Sequence, residues 1–321
     1  MIYGEIGGLV KPLPRIVFGT LKLSTPDARS FSLLDSVLAA GCCAFDTARA
    51  YGEGATEGVI GAWMEARNNR REIILIDKGA HPVGETKRVN PSQIRADLEE
   101  SLRVLKTDYI DLYLLHRDDP AVAVGPVIET LNDLQERGKI ILFGASNWSR
   151  LRLEEANEYA QKNGLSAFAI CSNQCSLAVQ HDDPYPGTMS IRGSQGDSEW
   201  KWYRSTQFPL LAWSSLARGF FSGKYTRDNL AEFGDLQSRI CIRCYAREDN
   251  FLRLERARQL AGEKGATTAQ IALAYIFRRG INCFAVTGTS NPTHFSESIQ
   301  ALDIVLSDRE VAWLDLESDT R

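Results

Sequence analysis

The sequence predicts an α/β protein, a single (β/α)8 TIM barrel with an N-terminal β-hairpin and long βα loops. Eight short apolar runs alternate with longer segments of helical period along the 321 residues. The runs are almost continuously apolar, as in parallel strands that are covered on both faces. Polar residues follow nearly every run, and a barrel would gather them on its C-terminal rim, where active sites of this fold lie. An open doubly wound sheet is the alternative that this alternation allows.

The hairpin is predicted in residues 1–14, where Gly7-Gly8 stands between apolar residues and prolines follow. The predicted strands are Ile16–Phe18, Ala44–Phe45, Ile73–Ile76, Ile110–Leu115, Ile140–Phe143, Ala167–Ile170, Leu210–Trp213 and Phe284–Val286. The predicted helices include Pro91–Leu105, Val124–Arg137, Arg150–Asn163, Phe251–Lys264 and Asp308–Leu316. We expect residues 1–321 to form one domain, because a barrel of this type commonly takes ~250 residues or more.

Residues 175–207 form an unusually long and polar connection, which is predicted to be a loop insertion. It contains Trp200 and Trp202. These side chains either shape a substrate pocket or pack the loop against the barrel, and the sequence leaves both possibilities open.

The composition and net charge limit the kinds of molecule that the protein is expected to bind. The chain has 44% hydrophobic residues and a formal net charge of -4. Nucleic acid and anionic membranes favour a basic protein surface, so we expect neither as a partner. The sequence shows no signal segment, and its seven scattered cysteines suit a reducing compartment. We therefore expect a cytoplasmic protein without structural disulfides that acts on a small molecule, as a monomer or a homo-oligomer.

The segment AFDTARAYG contains two candidate catalytic residues. Asp46 ends one apolar run, and Tyr51 follows in the next loop. A tyrosine that donates a proton near neutral pH needs positive charge nearby, and Lys78 ends the next run along the chain. His116 ends the fourth run and can orient a carbonyl oxygen or share in proton transfer. These four residues predict a proton-donor site without a nucleophile or a metal; the alternative is a buried Asp-Lys pair beside a packed tyrosine.

These residues resemble the aldo-keto reductase superfamily, of the bacterial type, over Gly19 to about Ser298. FDTARAYG and LLHRDD look like the family segments that carry the catalytic tetrad, which here is Asp46, Tyr51, Lys78 and His116. The resemblance implies reduction of an aldehyde or ketone to an alcohol with NADPH, and Tyr51 as the general acid. NADP(H) is the expected cofactor, with NAD(H) possible.

The resemblance also implies a set of cofactor contacts. Ser146, Asn147 and Gln174 would hold the nicotinamide carboxamide, and Trp213 would stack under the ring. Phosphate contacts are implied for Ser214, Leu216, Arg218, Gly219 and Lys224, and adenosine-phosphate contacts for Gly288, Ser290, His294, Glu297 and Ser298. Gly19, Thr20 and Asp46 at the barrel rim complete the expected contacts.

Two features qualify the resemblance. Ser298 stands where an asparagine is common, which predicts an altered adenine contact. The cofactor segments are similar to those of the potassium-channel beta subunits, so a non-catalytic module that senses bound nicotinamide is the alternative function. That branch typically has asparagine at the position of His116, and histidine favours the enzyme.

Overall fold

The computed structural model describes residues 1–192 and 196–321 of the chain, and side chains in all of these except 196 and 197. Eight parallel strands, β3 to β10, form a closed barrel, in which β10 lies beside β3. The barrel prediction is therefore confirmed, and the open sheet is wrong. Before the barrel, β1 (Tyr3–Gly4) and β2 (Leu13–Pro14) pair in antiparallel fashion, which confirms the predicted hairpin. The barrel strands are Ile16–Gly19, Ala44–Asp46, Ile74–Gly79, Ile110–Leu115, Ile140–Ser146, Cys171–Ser172, Leu210–Ala212 and Cys283–Thr287.

Strand β8 differs from its prediction. It covers only Cys171–Ser172, beyond the predicted Ala167–Ile170. The N–H of Ala169 already donates to the carbonyl of Phe143 at 2.9 Å. The chain thus approaches β7 along the apolar run, but the regular ladder starts two residues later. The apolar residues here mark where the chain enters the core, and not where the strand pairs.

Eleven α-helices occur in the described residues. They are α1 (Ala28–Ala39), α2 (Ala55–Arg67), α3 (Pro91–Leu105), α4 (Val124–Glu136), α5 (Arg150–Lys162), α6 (Gly196–Thr206), α7 (Leu236–Tyr245), α8 (Glu248–Lys264), α9 (Thr268–Arg278), α10 (Pro292–Gln300) and α11 (Asp308–Leu314). Local signals explain several of the helix starts. The side chain of Asn90 caps α3 by accepting from the N–H of Gln93, and Pro91 occupies the first turn. Thr267 and Gln270 form a capping box at α9.

The connection 175–207 is not a loop throughout, because α6 occupies its C-terminal part. Trp200 is buried under the guanidinium of Arg279, whose central carbon lies 4.5 Å from the ring centroid. Trp202 packs edge-on against Tyr203, with ring centroids 4.9 Å apart. These contacts favour packing over a role in a substrate pocket. The helix was missed because its sequence is polar on most sides, and two aromatic residues supply its buried face.

Internal contacts group the described residues into two compact units. One contains residues 1–172 and 288–295, and the other contains residues 173–287 and 296–321. Assignment of the whole chain to a single domain stays a prediction. Among the described residues, no helix is both long and apolar enough to cross a membrane.

Candidate active site

Three adjacent strands of the first unit position the predicted tetrad. Asp46 is the last residue of β4, Lys78 lies near the end of β5, and His116 directly follows β6. Parallel pairing brings these strand ends to one rim, and the N–H of His116 donates to the carbonyl of Gly79 at 2.8 Å. Tyr51 begins the 3₁₀ turn Tyr51–Gly54 that precedes α2. The structure thus brings the four predicted residues together.

The ammonium of Lys78 is the centre of this group. Its Nζ lies 2.5 Å from Oδ1 of Asp46 and 3.4 Å from the hydroxyl of Tyr51. It also donates to the carbonyl of Thr47 at 2.9 Å. Lys78 is only 2% exposed and Asp46 only 4%, so water contributes little to the solvation of either charge. Burial alone would lower the pKa of Lys78, but the negative charge of Asp46 raises it above its ordinary value, which keeps the ammonium charged.

The pKa of Tyr51 differs from the expectation that a nearby positive charge would lower it. Lys78 lowers the pKa of the phenol, as its proximity predicts, but burial has the larger effect and raises the pKa above its ordinary value. The carboxylate of Asp46 also raises it. Tyr51 is therefore protonated at neutral pH, the state that a proton donor to a carbonyl oxygen requires.

His116 is buried, and its ring meets the ring of Tyr51 edge-on with centroids 5.7 Å apart. Burial, together with the positive charges of Lys78 and Arg117, holds the pKa of His116 well below its usual range. The imidazole is therefore neutral at pH 7. Its Nδ1 is buried without a hydrogen-bond partner among the described residues. An unsatisfied nitrogen of this kind is available to a bound molecule.

His81 belongs to the same group and was missed from the sequence. Its ring lies edge-on to the ring of His116, with centroids 4.8 Å apart, and its Nδ1 is 2.9 Å from the carbonyl of Pro82. Burial lowers the pKa of His81, and Arg117 lowers it further. The position three residues after Lys78, in the loop that leaves β5, was the signal that could have identified His81.

Ser146 is the last residue of β7 and Asn147 directly follows it, and both are buried. The hydroxyl of Ser146 donates to the carbonyl of Ser172 at 2.9 Å. The side-chain amide of Asn147 donates to the carbonyl of His116 at 3.1 Å, and its backbone is left-handed, with φ 61°. This strained backbone is of the kind that concentrates at functional sites. These contacts link the Ser-Asn pair to the tetrad.

The rim residues of the first unit also include Thr20, whose hydroxyl donates to the carbonyl of Asp46 at 2.8 Å. A Cβ at Gly288 would lie 2.8 Å from the carbonyl oxygen of Gly19, so this close approach requires glycine. Helix α10 starts beyond Gly288. The side chain of Asn291 accepts from the N–H of Thr293 at 3.0 Å. Ser290 and His294 are exposed around this helix start.

In the second unit, Gln174 and Trp213 are neighbours on parallel bridging segments. The amide of Gln174 donates to Ser176 Oγ at 2.9 Å, and its oxygen accepts from Ser190 Oγ at 2.5 Å. Trp213 is half-buried, and its Nε1 has no hydrogen-bond partner among the described residues. Glu297 is half-buried and its carbonyl accepts from the side chain of Gln270 at 3.0 Å, whereas Ser298 is buried.

The segment after Trp213 has an unusual backbone. Ser214, Ala217 and Arg218 have φ values of 50°, 49° and 56°, and Gly219 has 89°. Non-glycine residues rarely adopt such angles, and successive N–H groups in turns of this type form concave sites for anions. Leu216 is half-buried within this segment, and Lys224 is exposed after it. The Nε of Arg218 is buried without a hydrogen-bond partner in the described part of the chain.

Comparisons with known proteins identify the family and the fold that this chain shares. The model of the aldo/keto reductase family matches residues 15–316. Norsolorinic acid reductase A of Aspergillus parasiticus is 30% identical over 298 residues, which span 90% of this chain and 71% of that protein. An aldo-keto reductase of Klebsiella pneumoniae, crystallised with NADPH, has 24% identity and a TM-score of 0.72, with 99% of this chain and 95% of that chain covered. The thermostable aldo-keto reductase Tm1743 has 24% identity and a TM-score of 0.74, covering 99% of this chain and 100% of that one.

At these identities the two solved structures support the fold alone. The family match is stronger, because it extends over nearly the whole chain and includes every strand of the barrel. The relative that is 30% identical is itself a reductase by name. This chain belongs to the aldo/keto reductase family of oxidoreductases.

Proposed function

We propose that the protein is an NADPH-dependent oxidoreductase that reduces an aldehyde or ketone to the alcohol, with Tyr51 as the general acid. The observation that carries this proposal is the buried ammonium of Lys78, which lies between the carboxylate of Asp46 and the hydroxyl of Tyr51. The ring of His116 contacts the ring of Tyr51, and its Nδ1 is buried without a hydrogen-bond partner among the described residues. A tyrosine that only packed beside a structural ion pair would not explain this unsatisfied nitrogen.

When bound, NADPH supplies a hydride to the carbonyl carbon. Tyr51 then donates its proton to the carbonyl oxygen, on which negative charge grows as the reaction proceeds. Lys78 stabilises the phenolate that remains, and Asp46 keeps the ammonium oriented. His116 is neutral, so it acts on the oxygen through a hydrogen bond and not through charge. In the reverse direction, the phenolate of Tyr51 accepts the proton of the alcohol.

The residues of the second unit suit the cofactor. The left-handed backbone of Ser214, Ala217, Arg218 and Gly219 and the unpartnered Nε of Arg218 provide donors for the pyrophosphate. Trp213 offers a half-buried ring to the nicotinamide. Gln174 would hold the carboxamide of the nicotinamide, a role that we also propose for Ser146 and Asn147 of the first unit. The Klebsiella reductase of the same fold, which was crystallised with NADPH, supports the choice of cofactor.

The reaction is tested by incubating purified protein with NADPH and a panel of aldehydes, ketones and sugar aldehydes. We expect consumption of NADPH that depends on the carbonyl compound, with formation of the matching alcohol in equal amount. A chain that binds NADPH but reduces no member of a broad panel would favour the nicotinamide-sensing module instead.

The role of Trp213 is tested by fluorescence. Binding of NADPH should quench tryptophan emission, and Trp213→Ala should weaken binding several-fold, because stacking contributes about 1 kcal/mol beyond area burial. Trp202→Phe serves as the control, since Trp202 packs against Tyr203 and Phe208 and should leave the affinity unchanged. Quenching that persists undiminished in Trp213→Ala would assign the signal to another tryptophan and remove the support for stacking.

The preference between cofactors depends on the start of α10. A 2′-phosphate there would meet Ser290, the N–H groups of the helix and His294, but no arginine or lysine of this segment. We expect NADPH to bind about tenfold more tightly than NADH, or about 1.4 kcal/mol. His294→Ala should narrow that ratio, because it removes a side-chain hydrogen-bonding group from the start of this helix. Parallel titrations of the wild-type protein and the variant with NADPH and NADH measure the ratio, and equal affinity of the wild-type protein for the two cofactors would show that no phosphate site exists.

A further inference from the structure

Residues 182–188, called the strap here, lie in the long connection between β8 and β9. Two contacts hold the strap on α7. Arg243 forms an ion pair with Asp182 at 2.8 Å and donates to the carbonyl of Pro184 at 3.2 Å. Within the strap, the hydroxyl and the N–H of Thr188 both donate to the carbonyl of Tyr185, at 2.8 and 3.3 Å. The strap therefore has a defined turn, and Tyr185 is at its start.

Tyr185 makes two contacts with Arg218. Its hydroxyl is 3.2 Å from Nη2 of Arg218, and the guanidinium carbon lies 5.4 Å from the centroid of its ring. Gln237 of α7 accepts from the same Nη2. One edge of the guanidinium is thus hydrogen-bonded to Tyr185 and Gln237, and one of its faces is covered by the ring of Tyr185. A planar cation that stacks on an aromatic ring loses less freedom when it then binds a ligand.

The contacts of Arg218 leave part of its guanidinium unused. Nη2 is engaged by Tyr185 and Gln237, whereas Nε is buried without a partner in the described residues. The backbone of Arg218 is also in the left-handed region, with φ 56°. Burial of a donor without an acceptor and a strained backbone both reduce stability, and such features persist where a ligand uses them. Phosphate oxygens are suitable acceptors for this donor.

We propose that Tyr185 is a positioning residue for the cofactor: through the strap it orients Arg218 toward the pyrophosphate of NADP(H) and slows the release of the cofactor. This inference rests on the proposed function, because it requires NADP(H) to bind beside Arg218. It assigns a role to the long connection, which the chemistry of the tetrad does not use. The exposed position of Tyr185, at 39% of its surface, makes the residue replaceable without disturbing a core.

The test compares Tyr185→Ala, Tyr185→Phe, Arg218→Leu and the double variant Tyr185→Ala/Arg218→Leu. We measure the Kd of NADPH by fluorescence titration and its dissociation rate by stopped flow. Tyr185→Ala should raise Kd about tenfold, mainly through faster dissociation. Tyr185→Phe keeps the ring and should raise Kd by about threefold or less. The double variant should bind no more weakly than Arg218→Leu alone, because Tyr185 acts through that arginine.

Reduced nicotinamide riboside provides a second readout, since it lacks the adenosine half and both phosphates of the pyrophosphate. Its affinity should be the same in the wild-type protein and in Tyr185→Ala, whereas general loss of structure would weaken both ligands. If wild-type protein binds NADPH and Tyr185→Ala binds it equally well, the role of Tyr185 is wrong and the proposed function stands. An effect of Tyr185→Ala that persists in full on the Arg218→Leu background would also overturn it. Failure of wild-type protein to bind NADPH would overturn the proposed function and this inference together.

Discussion

Replacing Tyr51 by phenylalanine is expected to lower kcat for carbonyl reduction about a thousandfold, while the Kd of NADPH changes less than threefold. The substitution removes the hydroxyl that lies 3.4 Å from the ammonium of Lys78 and keeps the ring that meets His116. A positioned general acid contributes roughly 10²- to 10⁴-fold to a rate. Single-turnover measurement of NADPH oxidation, together with titration of the cofactor, separates the chemical step from binding.

Tyr3→Phe is the matched control for that experiment. Tyr3 also carries a hydrogen-bonded hydroxyl, which donates to the carbonyl of Gly41 at 2.8 Å, but it belongs to the N-terminal hairpin. We expect its turnover to equal that of the wild-type protein. Turnover near the wild-type level in Tyr51→Phe would mean that another group supplies the proton, and the buried Lys78-Asp46 pair would then be structural.

Replacing Glu57 by glutamine is expected to remove the contribution of Glu57 to the fall in stability between pH 6.5 and pH 8.5. Glu57 of α2 and Asp77 of β5 are both fully buried, with exposed fractions of 0%. Burial and then the charge of Asp77 raise the pKa of Glu57 to about 8, and burial raises the pKa of Asp77 to about 6. Ser101 and Arg49 act in the opposite direction on Glu57, but less strongly.

The direction of this pH dependence follows from the numbers of protons that the folded and the unfolded protein bind. Because the folded-state pKa of Glu57 lies above its unfolded value, the folded protein binds more protons than the unfolded protein between about pH 4.5 and pH 8. Stability is therefore greatest at the acid end of this window and falls as pH rises through about 8. For Glu57 alone, the fall between pH 6.5 and pH 8.5 is about 2 kcal/mol. Glutamine resembles the protonated acid, so Glu57→Gln should gain about 2 kcal/mol relative to wild type over that interval.

Urea unfolding of both proteins at the two pH values measures this difference. Groups that titrate alike in the two proteins contribute equally to both free energies of unfolding, so they do not affect the difference. Asp35→Asn is the control, because Arg67 lowers the pKa of Asp35 and its contribution is constant above pH 6. A difference between wild type and Glu57→Gln that is the same at pH 6.5 and pH 8.5 would show that Glu57 does not hold a proton in the folded protein.

Much of the candidate active site could be predicted because its residues follow apolar strands. Asp46, Lys78 and His116 stand at or near the ends of β4, β5 and β6, and parallel strands in a barrel bring such ends to one rim. Asn291 and Pro292 are likewise residue types that are typical of a helix start, and α10 begins at Pro292. At these positions the local sequence pattern and the barrel fold favour the same residue types.

Other features depend on contacts between residues that are distant in sequence. The neutral state of His116 results from burial and from the charges of the adjacent Arg117 and of Lys78, which is 38 residues away on another strand. Tyr185 and Arg218 are 33 residues apart, and nothing in either segment indicates their contact. The partner of Glu57 is Asp77, the residue beside the predicted lysine, but it points to the opposite side of the strand from Lys78. Such pairs become visible only when the packing is known.

We propose that hydride passes from NADPH to a carbonyl carbon while the protein supplies the proton. NADPH that carries deuterium at C4, in the transferable position, provides the decisive measurement with any carbonyl compound that the panel identifies. We expect one deuterium on the carbinol carbon of the alcohol, and none at that carbon when unlabelled NADPH is used in deuterated water. Alcohol that forms without deuterium from the labelled cofactor, or that takes deuterium at that carbon from the solvent, would contradict it.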